Sequence, residues 1–407
     1  MSELALGTDL TTARRVRRRS VRPVLAVGLA LLGGALVAPF YLDAFWLQIG
    51  VFAFAAMAGA IGLNVLVGEA GQLSLAHSCY VAVGAYGYTF FASESRDVGV
   101  STQAGWGLPP LVALVLAVAT AGLAGLLFSP IAARLRGIYL GVASLGLVFL
   151  GQHILFNAEP LTGGFNGRDV PPFELFGFTV DDTPGKTLHV LGVPFTRVEK
   201  LWYLGLVVVV ACWLFYRNVK ASRAGRAMHA VRDGEIAASV MGVRLTHVKG
   251  SAFLVSSMLA GLGGVLLALA FRHIVPETFG VLLAVEFLAM IVIGGVGSPS
   301  GTVAGALFVT ALPVVLQRYS DVLPFIAESP TAGGITAGVA TRYCYGAAIV
   351  AVLLVEPGGL AGLGRRLAAR LGRCPAPALE RTAAIPPLEP AVADAVAAPS
   401  TLPHTRS

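Results

Sequence analysis

Charged residues are scarce in this sequence. Asp, Glu, Lys and Arg make up 13% of the 407 residues, whereas 56% are hydrophobic, and the mean hydropathy is +0.77. A soluble domain carries roughly 25% charged residues, so this chain has about half the charge that a water-exposed surface needs. Several apolar runs approach or exceed the roughly 20 residues that cross a bilayer. The composition therefore excludes an ordinary soluble protein and indicates a multi-pass membrane protein.

Cysteine is also rare. Four cysteines are present, and none is spaced as part of a metal site. Three lie in or beside apolar runs and the fourth lies in the C-terminal tail, at Cys79, Cys212, Cys344 and Cys374. We therefore expect neither a disulfide nor a bound metal.

The chain lacks a phosphate-binding loop of its own. Gly185, Lys186 and Thr187 resemble the end of such a loop, but Val180 stands where its first glycine is required. No catalytic triad is recognisable either. We therefore expect no enzyme activity, no cofactor and no ATP bound by this route.

Basic residues cluster beside the apolar runs, although the formal net charge is only +7. The clusters are residues 14–22, 134–136, 217–249 and 365–373. A nucleic-acid-binding protein would gather them on one soluble face, with aromatic residues between them. Their position beside apolar runs instead favours the positive-inside rule of membrane orientation. We therefore expect no nucleic-acid partner.

The apolar runs predict an all-α fold with about ten transmembrane helices. The runs are residues 24–42, 45–67, 75–92, 108–128, 138–156, 201–216, 250–271, 281–293, 303–316 and 343–355. Three look short, at 201–216, 281–293 and 303–316, and the glycine-rich stretch 294–301 separates the last two. Short or broken helices at membrane depth occur where protein or a water-filled cavity covers their backbone, and in transporters they often mark the solute path.

Ten spans give a consistent orientation in the plasma membrane. Every strongly basic loop, including residues 217–249, then lies on the cytoplasmic side with both termini, and the loop 157–200 is external. An eight-span alternative, with 75–92 and 281–316 re-entrant, also keeps both termini on one side. The predicted domains are a basic cytoplasmic segment 1–23, a transmembrane domain 24–363, and a disordered Pro/Ala-rich cytoplasmic tail 364–407.

The basic loop 217–249 contains a predicted short helix that begins beside Asp233, where the helix dipole favours an acid. Glu235, Ala237 and Ala238 form this helix, and Gly242 is suited to end it. The alternative interpretation is an ordinary surface helix that only links two spans. The predominance of small residues in the helix, in place of an apolar stripe, argues against that alternative.

This loop resembles the E-A-A-x-x-x-G coupling loop of bacterial ABC importer permeases, which docks in a groove on the ATP-binding subunit. Other segments are similar to the high-affinity branched-chain amino-acid permeases of the LivM type. From Gly62 the chain reads G-L-N-V-L-V-G-E-A-G-Q-L-S-L-A-H, where that family has G-L-N-L-L-x-G-x-x-G-Q-L-S-L-G-H. L-T-G-G-F-N-G from Leu161, I-G-G-V-G-S from Ile293 and V-E-P-G-G-L from Val355 also follow family motifs, in the family's order.

The resemblance implies a permease subunit of an importer for branched-chain amino acids or similar solutes. It also implies partners: ATP-binding subunits that hydrolyse the ATP, a second homologous permease and an extracytoplasmic solute-binding protein. Asp233, Glu235, Ala237, Ala238 and Gly242 would form the ATPase-coupling loop, with Glu235 pairing with a basic group of the ATPase. The chain departs from the family at Ala76, which replaces a usual glycine, and at Glu69, where an uncharged or aromatic residue is common.

Two glycine-rich breaks would line the solute path, since their freed backbone groups suit a zwitterion. The alternative is that these glycines only allow tight helix packing. Glu286 is the carboxylate placed well inside an apolar span, which by default marks function, although a protonated or Arg-paired structural residue is the alternative. The candidate path residues are Asn64, Gly71, Gln72, Ser74, His77, Glu286, Gly294 and Gly295, and the candidate external motif is Thr162, Gly163, Gly164 and Asn166.

Other functions stay open at this stage. The same importer class can carry urea, short amides or a sugar. An ion-coupled secondary transporter predicts several intramembrane carboxylates or an inverted repeat, but the chain offers Glu286 and only a loose similarity between 68–74 and 294–301. For His77, as for His153, a satisfied packing histidine is the favoured alternative.

Overall fold

The computed structural model describes residues 28, 30, 32–98, 101–135, 137–175, 178–180, 189–190, 193–194, 196–319, 326–327, 335–355 and 358–370. The chain divides into two compact units, Leu25–Arg365 and a unit made of Met1–Val24 with Arg366–Ser407. Of the second unit only residues 366–370 are described, as the end of a helix. The predicted segment 1–23, the tail after residue 370, Cys374 and the Gly185 motif lie outside the described residues.

The described residues are mostly α-helical. The helices are α1 Ala44–Asn64, α2 His77–Ala92, α3 Pro110–Arg134, α4 Ile138–Asn157, α5 Glu159–Thr162, α6 Arg197–Ala221, α7 Arg223–Asp233, α8 Glu235–Val240, α9 Leu245–Phe271, α10 Val281–Gly294, α11 Pro299–Arg318, α12 Ala337–Val355 and α13 Gly359–Arg370. Among the described residues, six helices are long and apolar enough to cross a membrane, namely α1 with its extension to Glu69, α3, α4, α6, α9 and α11. The chain is therefore an α-helical multi-pass membrane protein, and the number of spans stays a prediction.

Short strands lie in the connections between the helices. β1 Glu94–Val98 pairs with β2 Ser101–Trp106, and β3 Arg168–Asp169 pairs with β8 His273–Ile274, both antiparallel. The other pairs have two residues a strand: β4 Glu174–Leu175 with β5 Phe178–Thr179, β6 His189–Val190 with β7 Val193–Pro194, and β9 Ile326–Ala327 with β10 Ile335–Thr336. The all-α prediction therefore applies to the apolar segments and not to these loops.

Two of the three helices predicted to be short are full length. α6 has 25 residues and α11 has 20, whereas α10 has 14. The sequence estimate was wrong for α6 because charged residues at its ends were left out of the apolar run. Those ends are helical: the Thr196 amide donates to Glu199 Oε2 at 2.6 Å in a capping box, and Lys220 lies in the last turn.

The core forms around α9, which packs against α1, α2 and α3. Small residues permit this close packing: a Cβ added at Gly264 would lie 2.0 Å from the Val81 carbonyl oxygen. Helices in lipid gain no hydrophobic stabilisation from one another, so van der Waals packing at such close approaches has to hold them together. The apolar windows of α1 and α9 are 89% and 72% buried, whereas those of α4 and α11 are 28% buried. α1 and α9 are therefore central helices.

Candidate functional site

The first helix break follows α1. A π-helical turn covers Val65–Glu69, and residues 70–76 are not helical before α2 begins at His77. Gly68 lies where another segment packs tightly, since an added Cβ would be 2.4 Å from Asn64 Oδ1 and 2.7 Å from the Gly297 nitrogen. No larger residue fits there without a shift. The break is therefore a packed feature of the fold.

The second break separates α10 from α11. Gly295 and Gly297 have φ of +107° and +81°, which turn the chain between the two helices. Ser298 then caps α11, because its Oγ accepts from the Gly301 amide at 3.3 Å. The glycine-rich sequence therefore corresponds to a sharp, capped turn.

Asn64 holds the two breaks together. Its side-chain amide donates to Thr302 Oγ1 at 2.7 Å, and its Oδ1 accepts from the Gly297 amide at 2.8 Å. Asn64 is fully buried. Its hydrogen-bonding groups therefore serve the two breaks, and three of the predicted path residues, Asn64, Gly294 and Gly295, lie in one packed region.

The other predicted path residues lie in different surroundings. His77, at the start of α2, donates from Nε2 to the Gly59 carbonyl at 2.7 Å and makes an edge-on ring contact with Phe287 of α10. Its Nδ1 is buried, with no hydrogen-bond partner among the described residues. Glu286 precedes Phe287 and is half-buried. His77, on α2, therefore contacts α10, the short helix that carries Glu286.

The linker between α1 and α2 holds the remaining predicted path residues. Ser74 is buried, and its Oγ accepts from the Ala76 amide at 3.3 Å just before α2. Gln72 is also buried and its side chain donates to the Ala70 carbonyl at 3.5 Å. Gly71 is exposed and has φ of +67°. The structure therefore gives Gln72 and Ser74 local bonds within the linker.

The candidate external motif forms a compact turn after α4. Thr162 Oγ1 donates to the Leu155 carbonyl at 2.6 Å and accepts from the Gly164 amide at 3.1 Å. The Asn166 carbonyl accepts from His273 Nε2 at 2.9 Å, which joins the turn to the strand after α9. The next residue but one, Arg168, is 2% exposed and donates to the Leu161 carbonyl at 2.9 Å. Burial holds the pKa of its guanidinium below the ordinary value.

The predicted coupling loop contains two helices. α7 ends at Asp233, Gly234 is extended, and α8 begins at Glu235. Asp233 is therefore near the start of α8, as predicted, but it is also the last residue of α7, where the helix dipole disfavours an acid. Gly242 has φ of +83°, and an added Cβ would meet nothing within 4 Å. Glycine therefore suits this turn because of its positive φ and not because of close packing.

α8 has a buried face and an exposed face. Ala238 is 2% exposed, so it packs on its own chain, and Ala237 is exposed. Three apolar side chains project outward: Ile236, Val240 and Met241 are 74%, 82% and 84% exposed. The sequence-based description of α8 as lacking an apolar surface is therefore wrong. These three residues are called the α8 patch below.

Glu235 is bound within the chain. Its Oε1 lies 2.7 Å from Lys249 Nζ, and Lys249, in the first turns of α9, is 1% exposed. A buried lysine requires such a partner because removing an ammonium group from water is costly. The structure therefore gives Glu235 a basic partner within the chain, and its pairing with a group of the ATPase stays a prediction. The pair of Glu235 and Lys249 joins α8 to the central helix.

Another carboxylate, Glu69, is buried, and it was noted in the sequence only as a departure from the family pattern. It is 1% exposed and lies 2.8 Å from Lys220 Nζ and 2.5 Å from His229 Nε2. The Tyr216 hydroxyl also donates to it. The sequence signal was a lone acid at the end of an apolar run. Among the described residues there is no group of three or more His, Cys, Asp and Glu side chains that could hold a metal.

Comparison with known proteins gives a consistent assignment. Residues 41–355 match the family model described as the branched-chain amino acid transport system permease component. No solved structure matches the chain significantly.

Three relatives illustrate the range of the family. The permease protein LivM of Salmonella typhimurium is 30% identical over 302 residues, which cover 72% of this chain and 68% of the relative. The permease protein LivH of Escherichia coli is 24% identical over 316 residues, covering 74% and 90%. The autoinducer 2 import system permease protein LsrC of Enterobacter is 28% identical over 233 residues, covering 54% and 60%.

The family match includes both helix breaks, the external turn, and α7 and α8. It covers the six helices that are long and apolar enough to cross a membrane. The chain therefore belongs to the family of branched-chain amino acid transport permease components and is a multi-pass protein of the cell membrane.

Proposed function

We propose that this chain is the permease subunit of a binding-protein-dependent ABC importer that translocates branched-chain amino acids. ATP is bound and hydrolysed by partner subunits, a second homologous permease completes the membrane channel, and an extracytoplasmic protein delivers the solute. LivM and LivH carry branched-chain amino acid transport in their names, and the chain is 30% identical to LivM and 24% identical to LivH over the aligned residues. Family membership supports the transport class, and the solute is the finer part of the proposal.

The observation that carries the proposal is the α8 patch. Its apolar side chains are exposed outside the long apolar helices, at the end of a loop rich in arginine and lysine. Exposed apolar clusters with a polar surround mark sites of protein contact. The patch also has a rigid base, since Ala238 is buried and Glu235 pairs with Lys249. A contact that transmits force between an ATPase and a membrane domain needs both properties.

The proposed topology has ten spans with both termini and α7–α8 in the cytoplasm. The six long apolar helices and the shorter α10 correspond to seven of these spans, and the distribution of basic loops supports the orientation. Cysteines introduced singly at Asp182 and Asp233 in a cysteine-free chain test it. An impermeant maleimide should label the first in intact cells and the second only after permeabilisation. The reverse pattern would contradict the orientation.

Reconstitution tests the function itself. The permease is co-expressed with the ATPase subunits, the second permease and the binding protein that the proposal assigns to it, and the complex is placed in proteoliposomes. Uptake of radiolabelled leucine, isoleucine and valine should require ATP and the binding protein. Uptake that persists without ATP and follows an ion gradient would establish a secondary transporter instead.

A second solute class is favoured by one observation, the match to LsrC, whose name states autoinducer 2 import. The same proteoliposomes are therefore offered autoinducer 2, and also a sugar, urea and acetamide, the alternatives that the sequence left open. ATP-dependent uptake of one of these, without uptake of leucine, would keep the importer and replace its solute.

A further inference from the structure

Glu69 is the centre of a polar cluster at the end of α1, formed by Glu69, Tyr216, Lys220, His229 and Arg232 and called the Glu69 cluster below. Lys220 Nζ lies 2.8 Å from Oε1, which also accepts from the Tyr216 hydroxyl. His229 Nε2 lies 2.5 Å from Oε2, a contact that is not aligned as a hydrogen bond and becomes an ion pair when the ring is protonated. A carboxylate that is 1% exposed is thus matched by groups from α6 and α7.

The same side chains reach both helix breaks. Lys220 also donates to the Gly297 carbonyl at 2.9 Å, in the second break. Arg232 donates to the Gly68 carbonyl, in the first break. Asn64 already joins the two breaks, so Lys220 on α6 and Arg232 on α7 bind to one packed unit.

The position of the cluster along the chain gives these contacts a mechanical consequence. α7 leads through Gly234 directly into α8 and its exposed patch. The inner side of α7 is anchored, since Met228 and Val231 are 1% and 2% exposed. A displacement of α8 is therefore transmitted to α7. The contacts of the Glu69 cluster, including that of Arg232, transmit it further to both breaks.

Stability alone is a weak reason for this arrangement. Removing a carboxylate from water costs more than most ion pairs return, and an apolar residue of similar size often serves the fold as well. Ionisable groups at membrane depth mark functional positions by default.

We propose that Glu69 is a positioning residue that couples the movement of α8 to the two helix breaks. Its charge holds Lys220 and His229 so that α6, α7 and both breaks move together during transport. The inference rests on the proposed function, because it assigns the pathway by which the work of the ATPase reaches the solute path.

The test compares Glu69→Gln, Glu69→Asp and Lys220→Gln in the reconstituted complex. Glu94→Gln is the control, since it removes an exposed carboxylate from β1. We expect Glu69→Gln and Lys220→Gln to assemble with the ATPase and hydrolyse ATP while leucine uptake falls at least tenfold. The ATP consumed per leucine should rise by the same factor. Glu69→Asp should restore part of the uptake, and the control should match the wild type.

A second measurement needs no transported solute. Leu73 is 42% exposed in the linker after the first break, so Leu73→Cys in a cysteine-free chain reports on that segment by its alkylation rate. The rate should change when the complex is trapped with ATP, and Glu69→Gln should abolish that change while the ATPase stays bound.

The outcomes separate the two proposals. A wild-type complex without ATP-driven uptake would refute the proposed function, whereas the alkylation result would still report on the Glu69 cluster. Variants that transport with the wild-type ratio of ATP to leucine, or that retain the alkylation change, would overturn the coupling role. Failure of both Glu69→Gln and Lys220→Gln to assemble would show that the cluster only stabilises the fold.

Discussion

Truncation of the α8 patch should weaken the binding of the ATPase. The perturbation is the double substitution Val240→Ala and Met241→Ala, which removes five methyl, methylene or sulfur groups. The two side chains are 82% and 84% exposed in the free chain. Neither side chain supports the core, so the fold should be unaffected. The change therefore isolates the contact with the partner.

The magnitude follows from the exposed area. At about 0.8 kcal/mol for each buried CH₂-sized group, full burial of the five groups is worth about 4 kcal/mol. Since about four-fifths of this surface is exposed before binding, roughly 3 kcal/mol of it is gained on docking. A loss of about 3 kcal/mol corresponds to a dissociation constant raised about a hundredfold.

The assay is a titration of labelled ATPase subunit against the permease in nanodiscs. Leu354→Ala on α12 is the matched control, because Leu354 is an apolar side chain that is 80% exposed and lies away from α8 in the sequence. The control should bind as the wild type does. If the double variant binds within threefold of the wild type, the patch does not meet the ATPase and the reasoning fails.

Three further predictions concern single residues. Gly68→Ala should destabilise the chain by about 1–3 kcal/mol and abolish uptake, because its Cβ would press on Asn64 and Gly297; Gly146→Ala, with open space around it, should leave the melting temperature unchanged. Glu286→Gln should lower leucine uptake at normal protein level and normal ATPase binding, and unchanged uptake kinetics would make Glu286 structural. Gly242→Val should abolish uptake because a β-branched residue disfavours φ of +83°, whereas Gly242→Asn should retain most of it, and equal uptake by both would show that the turn is not required.

The class of protein and most helix positions are predictable from the sequence, because they depend on local composition. An apolar run of sufficient length crosses a bilayer whatever lies around it, and the structure has helices at α1, α3, α4 and α9 close to the predicted bounds. The ends of α6 and α11 were underestimated, since helical backbone bonding continues through polar and charged residues that hydropathy excludes.

The coupling loop shows where local patterns fail. The glycine at the stop of α8 was predictable, because a helix end needs a residue that tolerates positive φ. The extended conformation of Gly234, which places Asp233 on the preceding helix, has no such signature. The direction of each α8 side chain also depends on α9, since Lys249 fixes Glu235 and Ala238 is buried against the chain.

The Glu69 cluster shows most clearly which features follow from the sequence and which require the tertiary structure. The sequence by itself determined that an acid ends the first apolar run and that glycines follow it, because these are properties of neighbouring residues. Only the tertiary structure decided that Lys220, 151 positions further along the chain, binds that acid. A contact over that distance depends on how helices pack and rotate, and one sequence specifies the rotation of a helix poorly when nearly all its faces are apolar.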